Sequence, residues 1–386
     1  MNSLPKKNTD PKIHILQVVG DPVGGIRKHV HSLISGLDES EFILSYAYSD
    51  TATDTRFNAE IGDLRKRLMG VIPLHIRKKP HYTDLTNLWR LMRYVKRAKV
   101  DIIHGHGAKG GFYARIVGMI CHIPAIYTPH GGVVHRMFGF WEDRLYTLIE
   151  RCLVGATYCF VFESHYSAEN YFSKIGNIKR QWLVNYNGIE PPFVDSTNMK
   201  FNQVKSGPTH IGVFGLLRQE KGQVHLINAV ISLIKSGQVN IHLHIFGDGP
   251  DRKRLEMKVV NSGLVNFITF YGDIPDPEAW MAKMDIVVIP SLFESFGYVG
   301  LEAMSLCKPV IASEVGGLRE IFENGTAILV PPGDEIALSQ AIIDCVQNPE
   351  KTEAMAKKGM VRCTRFFSID NMIKVISNCY RDAVIM

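Results

Sequence analysis

Short apolar runs alternate with longer stretches of helical periodicity along nearly the whole chain. A run that is apolar at almost every position is the signature of a strand buried on both faces, as in a parallel sheet. Such runs predict strands in the first half at Ile13–Val19, Phe42–Tyr48, Ile102–His104, Ala125–Thr128, Tyr158–Phe162 and Gln181–Val184. In the second half they predict Ile211–Phe214, Ile241–Phe246, Ile268–Tyr271, Asp285–Ile289, Val310–Ala312 and Ala327–Val330. Between them lie amphipathic segments such as "DLTNLWRLMRYVKRAK", where Leu85, Leu88, Met92 and Val95 recur at helical spacing and Arg90, Arg93, Lys96 and Arg97 fall largely elsewhere. Strand and helix in strict alternation predict parallel α/β sheets. The alternation breaks once, at "NGIEPPFVDSTNMKFNQVKSGPTH", whose Pro, Asn, Ser and Gly content reads as an interdomain linker. Two α/β domains follow, 1–190 and 207–365, with a last helix in 366–386 that offers Met372, Val375, Ile376 and Tyr380 for packing. No internal repeat or low-complexity tract is visible.

Composition adds little to this picture, and charge adds more. The 386 residues are 46% hydrophobic and 21% charged, which suits two ordinary globular domains. No apolar run reaches the roughly 18 residues needed to span a bilayer. The N-terminal "MNSLPKKNTDPK" has no apolar signal core, so a cytoplasmic location is expected. Seven cysteines without a Cys-x-x-Cys spacing read as scattered reduced thiols. Residues 1–190 carry 25 Lys and Arg against 17 Asp and Glu, whereas the remainder is slightly acidic. Much of the excess lies between Arg65 and Lys99, where Asp84 is the single acid. Arg65, Lys66, Arg67, Arg77, Lys78 and Lys79 belong to this patch. It is either a solvated face or a docking surface for anionic lipid at the inner face of the plasma membrane. Nucleic acid is not expected, because aromatic interleaving and a nucleic-acid-binding motif are absent.

The candidate chemistry concentrates in "PSLFESFGYVGLEAMSLCKPVIASEVGG". Its predicted strand ends at Pro290, and a helix begins near Val299. Glu294 therefore falls on a loop at the carboxyl end of a strand, and Glu302 falls just inside the following helix. Ligands bind open α/β sheets at that end, and two carboxylates there suit a polyhydroxyl ligand. "GLLRQEKG" puts Gly215 at a strand end, then Arg218 and Lys221, then a helix start, a combination that attracts phosphate. Gly24 and Gly25 follow the first strand, where a glycine pair lets backbone approach an anion. The pattern there, "VVGDPVGG", is not the Gly-x-Gly-x-x-Gly of dinucleotide enzymes. His104 and His106 in "HGHG" are expected to have no third ligand in reach and so to make a poor metal site. They read as wall residues, and Arg115 reads as a packing residue.

Together with "LQVVGDPVGGIRKHVHSLISGL", "DIIHGHGAKGGFYARI", "IYTPHG", "NYNGIE", "IFGDGPDRKRLE" and "AILVPPGDEIALSQAI", these segments resemble, in order, the motifs of glycosyltransferase family four. Those are retaining nucleotide-sugar transferases of the GT-B fold, bacterial surface-polysaccharide enzymes among them. The resemblance implies two Rossmann-like domains with parallel sheets facing across a cleft and a C-terminal helix returning to the first domain. It implies an acceptor side in the first domain and a donor side in the second. The donor would be a nucleoside diphosphate hexose, UDP favoured, and the acceptor a hydroxyl of a glycan or lipid-linked glycan. Glu302 would hold the ribose and Glu294 the sugar, with backbone N–H groups of Phe296 and Gly297 nearby. Lys221 and Arg218 would stabilise the leaving diphosphate, and His130 would lie beside the sugar's anomeric region. Leu216 stands where the family often has arginine, and Arg218 takes that place. No Asp-x-Asp motif occurs, so no metal or other cofactor is expected. A nucleotide-sugar epimerase of the same fold and a transferase for a soluble small molecule are the enzymatic alternatives. A scaffold that has lost its chemistry is the non-enzymatic one.

Overall fold

The computed structural model describes residues 11–77, 79–131, 140–190 and 207–385. Most of the expected linker, residues 191–206, lies outside them, as does Lys78 of the basic patch. The chain divides into two compact units. The first takes in the chain up to Phe162, Glu169–Asn185 and the chain from Ile373; the second takes in Glu163–Ala168 and Tyr186–Met372.

The first unit holds a seven-stranded sheet. Its strands are β1 (Ile13–Val19), β2 (Phe42–Ser49), β3 (Leu68–Leu74), β4 (Ile102–His106), β5 (Ala125–Thr128), β6 (Cys159–Phe162) and β7 (Gln181–Val184). They pair in the order β3-β2-β1-β4-β5-β6-β7, all parallel. β1 and β4 are buried almost throughout, because helices cover both faces of a parallel sheet. The helix Gly107–Cys121 lies close on β1 and β5. A Cβ on Gly110 would sit 2.3 Å from the Val18 carbonyl oxygen, and one on Gly111 would sit 2.1 Å from the Tyr127 ring. Arg115, fully buried on this helix, is a packing residue: it forms a two-pronged pair with Glu150 at 2.7 and 2.8 Å, and Tyr171 donates to the same carboxylate.

The second unit holds a six-stranded parallel sheet. Its strands are β8 (Thr209–Phe214), β9 (Ile241–Phe246), β10 (Ile268–Gly272), β11 (Ile286–Ile289), β12 (Val310–Ser313) and β13 (Ile328–Val330), ordered β10-β9-β8-β11-β12-β13. Leu226, Ile227, Val230 and Leu233 of helix Gln223–Ser236 pack with Ile211, Val213, Leu243 and Ile245 of the strands. Each such side chain contributes about 1.5–3 kcal/mol on burial. Local signals set helix starts here. Asp276 caps Pro277–Lys283 through Ala279 N, and Asp334 caps Glu335–Gln347 through Ile336 N and Ala337 N. Both sheets have the Rossmann-like reversal of strand order, between β1 and β4 and between β8 and β11.

Three expectations need correction. β3 was not foreseen: Gly70 and Pro73 interrupt its pattern, and it is an edge strand, where proline is tolerated. In helix Thr83–Ala98 the buried face is Asn87, Leu91 and Val95, while Leu85 is 72% exposed beside the exposed Tyr82 and Trp89. In the last helix, Ile369–Val384, Val375 is exposed, and Cys379 and Ala383 join Ile376 and Tyr380 on the buried face. No helix among the described residues is long and apolar enough to cross a membrane.

Candidate active site

The expected site residues fall past the carboxyl ends of strands: in the second unit after β8 and β11, which flank the point of reversal, and in the first after β1 and β5. In the second unit, Gly215 follows β8 and leads through Leu216 and Arg218 to a single 3-10 turn, Gln219–Lys221. The helix Gln223–Ser236 begins two residues after Lys221. Gly222, at φ +64°, makes this join: a Cβ there would lie 2.0 Å from the Pro290 carbonyl oxygen. The turn thus rests directly on the loop after β11. Leu292 N and Phe293 N both donate to the Glu220 carbonyl, at 2.8 and 3.2 Å.

That contact brings the chemistry together. Lys221 Nζ donates to Glu294 Oε2 at 2.6 Å, and Ser291 Oγ reaches the same oxygen at 3.4 Å. Lys221 keeps about a third of its side chain exposed, so its ammonium can face both a carboxylate and an incoming anion. Arg218 is half-exposed, with Glu220 at 3.9 Å. The Glu294 loop is held from behind by the bend after β12. Gly317 N donates to the Glu294 carbonyl at 3.1 Å, and Gly316 passes so close that a Cβ there would clash with the same oxygen. Gly297, at φ +114°, then opens the helix Tyr298–Ser305. The first N–H groups of this helix follow Phe296 and Gly297 directly, and Glu302 sits one turn in, 8% exposed. Tyr298 lies near it. Burial, and then the charges of Glu163 and Glu302, push the Tyr298 phenol well above its ordinary value.

In the first unit, Gly24 and Gly25 open the helix Gly24–Gly36 and are exposed. Gly24 N donates to Asp54 Oδ2 at 3.2 Å, and nothing lies within 4 Å of where its Cβ would be. His130 follows β5 at φ +49°, a conformation uncommon outside glycine and held by its neighbours. Its Nε2 lies 3.2 Å from His106 Nδ1. His106 ends β4 and is fully buried.

A hydrogen-bond chain fixes these rings. Gln17 on β1 donates its amide to the Tyr380 hydroxyl at 3.0 Å, which turns its carbonyl toward His106 Nε2 at 2.7 Å. The His106 proton therefore lies on Nε2, and its Nδ1 accepts from His130. Tyr380 in turn donates to His104 Nδ1 at 2.7 Å, and His104 Nε2 donates to Thr128 at 2.9 Å. Burial, with the neighbouring imidazoles, lowers the basicity of both His104 and His106 well below that of free histidine. Sequence reasoning missed Gln17 and His29, and it gave Tyr380 a packing role alone. His29 is buried on Gly24–Gly36, with its ring 4.9 Å from that of His130 and 5.4 Å from that of His106. The one signal for His29 was its place in the first turns after β1, which face the same sheet end. The expectation that "HGHG" has no further ligand in reach is overturned: His106 meets His29 and His130, while His104 points into the Tyr380 network.

Residues 24–188 match the family model of the glycosyl transferase 4-like domain, and residues 195–362 match that of glycosyl transferases group 1. An uncharacterized glycosyltransferase of Methanocaldococcus jannaschii is 25% identical over 93% of this chain and 95% of its own. A lipopolysaccharide core biosynthesis mannosyltransferase of Rhizobium leguminosarum is 29% identical over 44% of this chain and 50% of its own. Among solved structures, Anabaena HepE in complex with UDP shares the fold with a TM-score of 0.78 at 21% identity, over 96% of this chain and 100% of that one. With one such domain matched in each half, and two Rossmann-like sheets to carry them, the chain belongs to the glycosyltransferases of the GT-B fold.

Proposed function

We propose that the protein is a retaining hexosyltransferase. It takes a hexose from a nucleoside diphosphate, UDP favoured, and transfers it to a hydroxyl of a glycan or lipid-linked glycan in polysaccharide assembly. The observation that carries this reading is the Lys221–Glu294 pair, 2.6 Å long and built from two loops at the reversal point of the second sheet, with Glu302 on the helix that follows. A diphosphate needs fixed positive charge and helix N-terminal N–H groups. Lys221, Arg218 and the helix Gln223–Ser236 supply them. The ribose and sugar need paired acceptors, which Glu302 and Glu294 supply. Anabaena HepE was solved with UDP, and also with UDP-glucose. The Rhizobium relative is a lipopolysaccharide core enzyme.

In this reading the bond from the anomeric carbon to the phosphate oxygen breaks as the acceptor oxygen bonds on the same face. The acceptor proton goes to the departing phosphate oxygen, so no protein nucleophile is needed. Lys221 and Arg218 offset the developing charge, and no divalent cation takes part. Phe296, Gly297 and His130 keep the roles that the family resemblance gives them, and Gly24, Gly25 and Gly215 those expected of glycines that let backbone approach the diphosphate. The test is incubation with a panel of nucleotide sugars, with and without lipid-linked glycan. Transfer with an unchanged anomeric configuration is expected. An epimer formed from the nucleotide sugar alone would overturn the reading.

The acceptor proposal includes a lipid surface, but its place moves. Lys66, Arg67 and Lys79 are each paired with an acid: Asp63, Glu39 and Glu142. The face of Thr83–Ala98 carrying exposed Tyr82, Leu85 and Trp89 with Arg90, Arg93, Lys96 and Arg97 fits better. It combines apolar side chains with basic ones, as an interfacial helix does.

A further inference from the structure

We propose that His29, His106 and His130 form a binding site for a divalent transition-metal cation of the zinc class, and that the cation silences the enzyme when bound. The second half rests on the donor-side role proposed for His130; the first half does not.

Three elements deliver the three rings: the helix Gly24–Gly36, the last residue of β4 and the residue two past β5. One ring nitrogen from each lies within 4.8 Å of the others, and among the described residues this is the one such group of three potential ligands. The His106 Nδ1 to His130 Nε2 separation of 3.2 Å is already close to the edge of a tetrahedral zinc site. With Zn–N bonds of 2.0–2.1 Å, that edge is about 3.3 Å. His106 is also prepared as a ligand. A metal-bound histidine commonly donates its far N–H to a carbonyl or carboxylate, which fixes the ring and the tautomer. Gln17 Oε1 does this for His106, and Gln17 is itself fixed by Tyr380. The Nδ1 lone pair is thereby turned to His130 Nε2, a second potential ligand of the cluster. Ligation by His130 Nε2 requires only that its proton move to Nδ1, so no net charge is displaced.

The donor set selects the metal. Three neutral nitrogens and no carboxylate suit zinc, copper, nickel or cobalt, and not magnesium or calcium. His29 and His106 are buried, while His130 is partly exposed, so the fourth position is left to water from one side. The site differs from a catalytic metal at the leaving diphosphate: it takes up His130 instead of helping the phosphate leave.

The test uses the tag-free, full-length chain stripped with EDTA and dialysed. Titration with cobalt(II) should give the visible bands of a tetrahedral site at one equivalent, and zinc should displace it. His29→Ala and His106→Ala should each weaken zinc at least tenfold, and Gln17→Leu should weaken it by about 10–100-fold. Should His29→Ala fail to fold, His29→Cys keeps a ligand and should add an intense sulfur-to-cobalt band in the near ultraviolet. Absence of tetrahedral cobalt, or zinc affinity unmoved by His29→Ala, overturns the site and leaves the proposed function standing. One-to-one zinc binding with undiminished sugar transfer overturns the silencing and counts against the role of His130.

Discussion

Lys221 and Glu294 show how single side chains divide the work. In the proposed reading their contact would hold an ammonium ready for a phosphate, and until one arrives the two partly buried charges satisfy each other. Hydrogen bonds to charged groups contribute about 1.5–3 kcal/mol each, so Lys221→Ala should lower kcat/KM for sugar transfer by roughly 10–100-fold. Lys235→Ala, on the exposed side of Gln223–Ser236, should leave it unchanged. Equal effects from the two would remove Lys221 from the chemistry. The buried histidines make a second prediction. His104, His106 and His244 have their basicity lowered, His244 to a pKa of about 4. Below pH 6.5 the unfolded chain therefore binds protons that the native one does not, and stability must fall as pH falls. Each such imidazole takes away about 1.4 kcal/mol per pH unit within its window. Denaturant titrations at pH 7.5 and 5.5 should show the loss; a flat profile would place charged imidazoles in the native core.

At the scale of elements, the join between the Gln219–Lys221 turn and the β11 loop is what makes a site from a sheet edge. Gly222 and Gly237 share nearly the same backbone, φ +64° and +66°, but a Cβ at Gly237 meets nothing within 4 Å. Gly237→Ala should therefore cost only the backbone term, about 1–2 kcal/mol. Gly222→Ala should cost more, because the Pro290 loop has to move, and it should also weaken nucleotide binding. Equal thermal shifts would mean that the two loops are not in contact. Most strands of both sheets were legible because buried parallel strands are apolar at most positions, and polar residues such as Gln17 in β1 or His242 and His244 in β9 interrupt the runs without breaking them. β3 was not, since an edge strand needs fewer apolar residues and accepts Gly70 and Pro73. Leu85 and Val375 were misplaced for a related reason. Helical spacing gives a stripe about the right width, but Asn87, which donates to the His75 carbonyl, shows that a polar residue can occupy its centre.

At the scale of the molecule, each unit places its candidate residues past the carboxyl ends of strands at or beside the reversal point of its own sheet, β8 and β11 in the second and β1 and β5 in the first, a consequence of strand order that sequence alone does not display. Residues close to one another along the chain, such as Arg218 and Lys221 or Glu294 and Glu302, were found by motif. The Gln17–His106–His130 chain was not, because β1, β4, β5 and the last helix meet only in the folded first unit. Two predictions belong to this scale. If Lys221, Arg218 and helix N–H groups replace a cation at the leaving group, turnover should survive EDTA; a strict need for magnesium or manganese would contradict that. If the exposed face of Thr83–Ala98 meets anionic lipid, each basic residue there contributes about 1 kcal/mol. Replacing Arg90, Arg93, Lys96 and Arg97 with Ser should then release the protein from anionic vesicles at low salt. A parent protein that does not prefer anionic to neutral vesicles would show the face to be merely solvated.

The central claim is that the second unit binds a nucleoside diphosphate through Glu302. Calorimetric titration of UDP into the parent protein and into Glu302→Gln, which keeps the side-chain shape, tests it most directly. UDP should bind the parent, and the loss of charge-assisted hydrogen bonds to the ribose should weaken it by about 10–100-fold, or roughly 1.5–3 kcal/mol. UDP bound equally by both proteins, or by neither, would contradict the account.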